Sequence, residues 1–403
     1  MSLIKPFRGI YYNSSIIKDI SKVVCPPYDV ISDEEDRLFK RKSPYNFCNI
    51  LRKDDKHDYK NLADTFRKWL KSRVLIEDEK PCFYVYEQTF KLNNRIKRRV
   101  GLLGLLRIDK EGIIFPHERT FTTPKKDRYH IIKEFKANLS PIFVIVPHKI
   151  NMLSQTYSLC KDKKPLMSFM DTTRIKNRIW RVADDKMISQ IKKSFSRKHL
   201  FIADGHHRFE VARKYMKEMK DKLKDVNYIL AYFTDVSHGL VILPTHRIVK
   251  LDKPLSNFKN MIDRYFTIQT TTAKNLEKKL NKRASYRSVI FGMCWNGQTY
   301  ILRLKNKAIL DKIFKKDSIY SNLDVYILHR IVVSKIKKPE LRYTHSMEEA
   351  IKLGNKKYVS FILQPTPLKN VFDIARKGYR LPHKSTYFYP KILSGVLMRR
   401  FGS

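Results

Sequence analysis

Apolar residues recur at spacings of three and four through "HDYKNLADTFRKWLKS", where Tyr59, Leu62, Phe66, Trp69 and Leu70 predict one buried face of a helix. Upstream, Ser32 followed by Glu35 has the form of a capping box and predicts a short helix at "DEEDRLFKR". Pro26 and Pro27 have no amide to donate, so "VVCPPYDV" reads as a strand end or an ordered loop. "PCFYVYEQTFKLNN" and "IKRRVGLLGLLRID" are two strand-like runs joined at Asn93 and Asn94, the pattern of a hairpin. Then "TTPKKDRYHIIKEFKANLSP" predicts a helix ending between Asn138 and Pro141, and "PIFVIVP" a strand; residues 148–166 read as a polar linker. A helix starting near Asp184 leads into the strand "HLFIAD".

A second helix follows that strand at once, with Phe209, Ala212, Tyr215, Met216 and Met219 on one stripe that suits core packing. "VNYILAYFTDV" and "GLVILPTHRIV" come next, two runs of high strand propensity expected to be neighbours in one sheet. Beyond about residue 250 the pattern changes to short alternating helices and strands, including a hairpin with Asn296 and Gly297 at its tip. A helix through "SNLDVYILHRIVVSK", a strand "KYVSFILQP" and a helix after Pro367 complete the chain. The expected fold is α/β or α+β, with mixed sheets and helices. Two domains are expected, 1–250 and 251–403, with the C-terminal tail packing back on the first.

The junction "ADGHHRF" carries the most chemistry. Asp204 is placed to cap the helix, Gly205 permits close approach of backbone and ligand, and free amides with the helix dipole favour an anion. Arg208 supplies a forked donor and His206 or His207 a further one. A phosphate or nucleotide site competes with two other readings, a transition-metal site using Asp204 and one histidine, and a capped helix with His207 packed. Adjacent histidines do not readily face one metal, and no residue is assigned as a metal ligand. There is no GxxxxGK[ST] or GxGxxG segment. In "FPHERTF", Glu118 between His117 and Arg119 suits a general base or a magnesium ligand; "LPTHRIV" repeats a His–Arg pair at His246 and Arg247. Cys25 in "VCPPYD" is a further nucleophile candidate with no obvious partner.

Composition changes the picture in one respect. With 83 Lys and Arg against 39 Asp and Glu, the formal charge is +44, which favours an anionic partner such as nucleic acid, although the basic residues are scattered along the whole chain. Five widely spaced cysteines fit a reducing compartment. No apolar run resembles a signal sequence or approaches a membrane span, so a cytoplasmic chain with no membrane partner is expected.

Taken in order, "KPFRG", "VVCPPYDVIS", "SPYNF", "VYEQTF", "PHERT", "ANLSPIF", "WRV", "LFIADGHHRFEVA", "VILPTHRIV" and "KSTYFYPKILSG" resemble domain-of-unknown-function family 1015 across nearly the full chain. Within it, "DGHHR" is similar to the phosphate-holding motif of the superfamily of ParB-type partition proteins, sulfiredoxin and free-serine kinases. The kinase branch is nearest, since it also has two histidines between Gly and Arg. The resemblance implies a ParB/sulfiredoxin-like nucleotide-binding core and phosphoryl transfer from ATP or ADP, with Mg²⁺, to a small hydroxy amino acid such as L-serine. It assigns phosphate binding to Gly205, His206, His207 and Arg208, with Arg119 and Arg247 neutralising phosphate charge. Glu118, Asp204 and His206 become the catalytic candidates, Glu118 as base and Asp204 orienting the motif or a metal-bound water, with Asp29 and Glu87 also eligible as the base. The alternative it leaves is a nucleotide-dependent, ParB-like nucleic-acid binder without kinase activity.

Overall fold

The computed structural model describes residues 2–402 apart from 55–56, 197, 252–254, 282–288, 307, 315–318 and 337–338. The chain is mixed α/β and divides into two compact units. Unit 1 comprises Met1–Pro116, Thr120–Val241 and Pro390–Ser403; unit 2 comprises His117–Arg119 and Ile242–Tyr389.

Unit 1 is built on a nine-stranded mixed sheet. Its centre runs Leu200–Asp204, Ile142–Val146, Tyr228–Asp235, Arg95–Arg107, Phe83–Leu92 and Lys176–Val182. The pair 228–235 and 142–146 is parallel, and the other neighbours in that run are antiparallel. The predicted hairpin is present, turning through Asn93 and Asn94 at φ 50° and 59°. Alternation along the strands separates two faces. Ile202, Val144, Phe233, Leu102, Val85 and Trp180 point into one core, against Phe209, Ala212 and Tyr215 of the helix His206–Met219 and Leu153 of the helix Asn151–Cys160. The other face carries Phe143, Tyr232, Arg99 and Gln88, and the functional candidates of this unit gather there.

Unit 2 holds a six-stranded antiparallel sheet in the order Phe266–Thr271, Gln298–Leu304, Ile290–Trp295, Tyr358–Ile362, His246–Lys250 and Leu341–Thr344. The Asn296–Gly297 hairpin tip is present with both residues at positive φ. Helices Asp324–Ile331 and Leu368–Arg376 pack on one face, Ala273–Asn281 and Met347–Leu353 on the other.

Two expectations are corrected. The segment 148–166 is no linker, because Leu153, Thr156 and Cys160 repeat at helical spacing and bury one face of the helix Asn151–Cys160. "VNYILAYFTDV" and "GLVILPTHRIV" are not neighbours: Tyr228–Asp235 lies in the nine-stranded sheet, His246–Lys250 in the six-stranded one. Strand propensity identified both runs but contains no information on pairing partner.

Candidate functional site

One residue joins the strand Leu200–Asp204 to the helix His206–Met219. That residue, Gly205, has φ 86° and ψ 30°, in the left-handed region. A Cβ on it would stand 2.9 Å from Ile142 Cγ2 and 3.0 Å from Nε and Nη2 of Arg208. The guanidinium of Arg208 therefore folds back over the start of its own helix, in space only glycine leaves open.

Asp204 does not cap this helix. The N-cap position is Gly205, and no side chain there accepts from the first turn. Asp204 sits one residue too early to face those amides, and cations claim its carboxylate instead. Arg208 Nη2 donates to Oδ2 at 2.9 Å, and Lys391 Nζ donates to Oδ1. All three side chains are mostly buried, 10–13% exposed, and such charge-assisted bonds exceed what neutral amides would supply. Arg208 also donates from Nη1 to the Pro141 carbonyl, while its Nε is buried without a partner among the described residues. The arginine thus braces the strand end against the helix start.

The histidines differ in role. His207 is buried, and its Nε2 accepts the amide of Phe121 at 3.0 Å; one turn on, Glu210 accepts from Thr120 Oγ1 at 2.7 Å. Both dock the entry to the helix Thr122–Phe135. His206 is buried at the first helical position.

Beside Asp204, across Phe143 and Tyr232, lies Arg99, fully buried. Its guanidinium carbon is 4.7 Å from the Phe143 ring centre and 5.5 Å from that of Tyr232. Gly101 makes this possible, since a Cβ there would meet the Tyr232 ring at 2.2 Å. Nη2 of Arg99 donates to Gln88 Oε1 and the Pro390 carbonyl, whereas Nε and Nη1 are buried with no hydrogen-bond partner among the described residues. Burial holds this guanidinium below its usual range, and the fields of Tyr232, Tyr86 and Asp204 oppose that. Gln88 Nε2 in turn donates to the Lys391 carbonyl at 3.1 Å and to Asn177 Oδ1 at 3.2 Å. Two cations, Arg208 and Lys391, thereby hold the Asp204 carboxylate, and its field reaches a third, Arg99. The surplus of positive charge, two unsatisfied donors on Arg99 and an uncapped helix start together form an anion-binding arrangement.

Sequence reasoning included Lys391 only within the segment "KSTYFYPKILSG" and missed Arg99 and Gln88. Arg99 stands in the charged run "RIKRRV", which has the composition of a surface turn. Only its alternation with Gly101 and Leu103 marks it as inward-facing.

The remaining candidates lie elsewhere. Glu87 is on the opposite strand face from Gln88 and is held by Tyr157, by Arg178 Nη2 at 2.7 Å and by Thr89, which together keep its carboxyl below the usual range despite burial. Asp29 adjoins Tyr28, which lines a cavity of about 50 Å³ with Arg128 and Arg208. Cys25 is buried, and burial, followed by Cys48, pushes its thiol well up, away from the thiolate a nucleophile requires. Glu118, Arg119 and Arg247 belong to unit 2. There Glu118 pairs with His383 Nδ1 at 3.2 Å, and the buried Arg247 donates from Nε to His329 Nε2 at 3.2 Å and from Nη2 to the Lys384 carbonyl at 3.0 Å. Burial pulls Arg247 down to about 10, against the fields of Tyr343 and Glu118. Among the described residues no group of three or more His, Cys, Asp or Glu is arranged for a metal ion. Mg²⁺ at Asp204 would have to displace Lys391 or Arg208, so the site as it stands does not fit the ion.

The family model described as "Protein of unknown function (DUF1015)" matches residues 4–326. The chain belongs to the DUF1015 family. No curated protein matches this DUF1015 chain in sequence. Among solved structures it is similar to "SbnI with C-terminal truncation from Staphylococcus aureus", at 12% identity and a TM-score of 0.41 over 72% of this chain and 85% of that one. It is also similar to a mutant free serine kinase in complex with ADP, at 13% identity and a TM-score of 0.38 over 72% and 89%. A conserved hypothetical protein from Pyrococcus furiosus gives 14% and 0.37 over 72% and 91%. Likenesses of that distance assign no activity to the DUF1015 chain. No helix among its described residues is long and apolar enough to cross a membrane.

Proposed function

We propose that unit 1 binds the phosphates of ATP or ADP at the start of the helix His206–Met219 and transfers a phosphoryl group to a small hydroxy amino acid such as free L-serine. One observation carries this reading: Arg208 and Lys391 hold the carboxylate of Asp204, and Arg99, within its field, has two buried donors with no hydrogen-bond partner among the described residues. Phosphoryl transfer needs positive groups placed in advance around the moving charge and one acceptor for the hydroxyl proton. The motif's resemblance to that of the free-serine kinases supports the choice of substrates.

In this mechanism the substrate hydroxyl gives its proton to Asp204 Oδ1 as its oxygen bonds to phosphorus. The nucleotide's terminal bridging P–O bond breaks, and the leaving phosphate oxygen keeps the electron pair. Lys391 turns from Asp204 to the transferred group, while Arg208 keeps the carboxylate in place. Gly205, His206 and His207 present the first turn to the phosphates. Glu118, with Arg119 and Arg247, stays the rival base and cation set in unit 2, where Glu118 and Arg247 are held by the pairings described above.

The test is ³¹P NMR of purified protein with ATP or ADP, Mg²⁺ and a panel of hydroxy amino acids. A phosphorylated acceptor is expected, with kcat lowered on the order of 100-fold or more in Asp204→Asn and far less in Glu118→Gln. The reverse ranking would move the base to Glu118. No phosphorylated product with either nucleotide overturns the proposal.

A further inference from the structure

Unit 2 contains a second place where positive charge collects, around a cavity of about 350 Å³. Its wall is one face of the helix Asp324–Ile331 and the turn after it: Tyr326, His329, Arg330, Val333 and Ser334 follow one another at helical spacing. Arg119 and Pro382 close the other side, on two stretches of chain tied by Leu381 N–H to the His117 carbonyl at 2.7 Å and Arg119 N–H to the Leu381 carbonyl at 3.2 Å. Among the described residues no carboxylate lines the cavity. Among them, too, neither the Arg119 nor the Arg330 guanidinium makes an ion pair, and Glu118, next to Arg119 in the chain, pairs with His383.

The third polar group is fixed in one form. Arg247 Nε donates to His329 Nε2, so the neutral ring carries its proton on Nδ1 and is itself a donor. Ser334 spends its hydroxyl proton on the Arg330 carbonyl at 2.8 Å. The rest of the wall, Val333, Ile336, Pro339 and the Tyr326 ring, is apolar. A volume at the small end of the ~300–1,000 Å³ usual for ligand pockets suits a small molecule.

We propose that this cavity binds a small phosphomonoester, its phosphate between Arg119 and Arg330 and its organic part against the apolar wall. A phosphomonoester carries about −1.5 to −2 near neutral pH, which matches two guanidinium groups that have no carboxylate partner among the described residues and suits their forked geometry. The site is separate from the Asp204 cluster of unit 1 and does not depend on the kinase reading.

The probe is phenyl phosphate, titrated into the full chain while the His329 ring resonances are followed by NMR, assigned with His329→Gln. A saturable shift of His329 is expected, weakened at least about tenfold by Arg119→Ala or Arg330→Ala and unaffected by Lys369→Ala on a different helix. If His329 is unmoved at concentrations that fill a millimolar site, or if both arginine variants bind as the parent does, the proposal fails. A shift produced by succinate and not by phenyl phosphate also overturns it, by making the ligand a dicarboxylate.

Discussion

Asp204→Asn tests the electrostatics of unit 1 directly, because it removes the one negative charge from a cluster of three cations and keeps the shape. At an effective dielectric of ~20, the pair with Arg208 Nη2 at 2.9 Å is worth about 6 kcal/mol in gross Coulomb energy, much of it offset by desolvation. Breaking a buried pair by neutralising one partner costs about 3–5 kcal/mol. Asp204 serves two cations at 10–13% exposure, so the upper part of that range is expected. Urea unfolding followed by Trp69 and Trp180 in a Trp295→Phe background reads unit 1 alone, since only Trp295 lies in unit 2. The same change raises the positive surplus from two to three, so phosphate should stabilise the variant more than the parent; a ligand at 100 times its Kd adds about 2.7 kcal/mol. A cost under about 1 kcal/mol, or an equal phosphate effect in both proteins, would refute the account of this cluster.

Gly205→Ala should cost about 1–2 kcal/mol from the left-handed backbone alone, and more as the new methyl displaces the Arg208 guanidinium at 3.0 Å; a denaturation midpoint equal to the parent's would count against it. In unit 2, burial lowers His246 to about 4 and His329 to about 3, each helped by a nearby positive group. The unfolded chain binds protons on these rings first, so their contribution is complete above about pH 6.5 and is lost as pH falls towards 4 and 3. His329→Gln should flatten that part of the stability profile read at Trp295, and an unchanged slope would contradict the assignment. All five cysteines are buried, so a thiol reagent should label none of them in the native chain, and fast labelling of Cys25 would revive its nucleophile reading.

Local features of the fold were legible because they have local causes. Ser32 and Glu35 form the capping box that their spacing announces, with Glu35 N–H donating to Ser32 Oγ at 3.2 Å. The Asn93–Asn94 and Asn296–Gly297 turns sit where residues tolerant of positive φ predicted them. The stripe from Phe209 to Met216 is core, as expected. What failed was non-local. Strand propensity could not say that Tyr228–Asp235 and His246–Lys250 belong to different sheets, and a capping reading of Asp204 took no account of Lys391, 187 residues away. Composition likewise hid Arg99, since a buried arginine and a surface arginine look alike in a basic chain.

The same point bears on how far the "DGHHR" segment can be used alone. Its own residues supply Asp204, one cation that is already committed to bracing the helix start, and histidines of which His207 holds the Phe121 amide. The surplus positive charge comes from outside the motif. Arg99 reaches it from the second strand of a hairpin, and Lys391 from a tail that is itself fastened to unit 1 by Ser394 pairing with Cys25, Met398 with Ile10 and Arg399 with Asn138. A chain with the motif but without an arginine and a lysine at those places would keep the turn and the helix and lose the surplus charge. The anion-binding property therefore belongs to the assembled unit, and Arg99 with Lys391 are the positions at which a related sequence should be read before any phosphate chemistry is carried over to it.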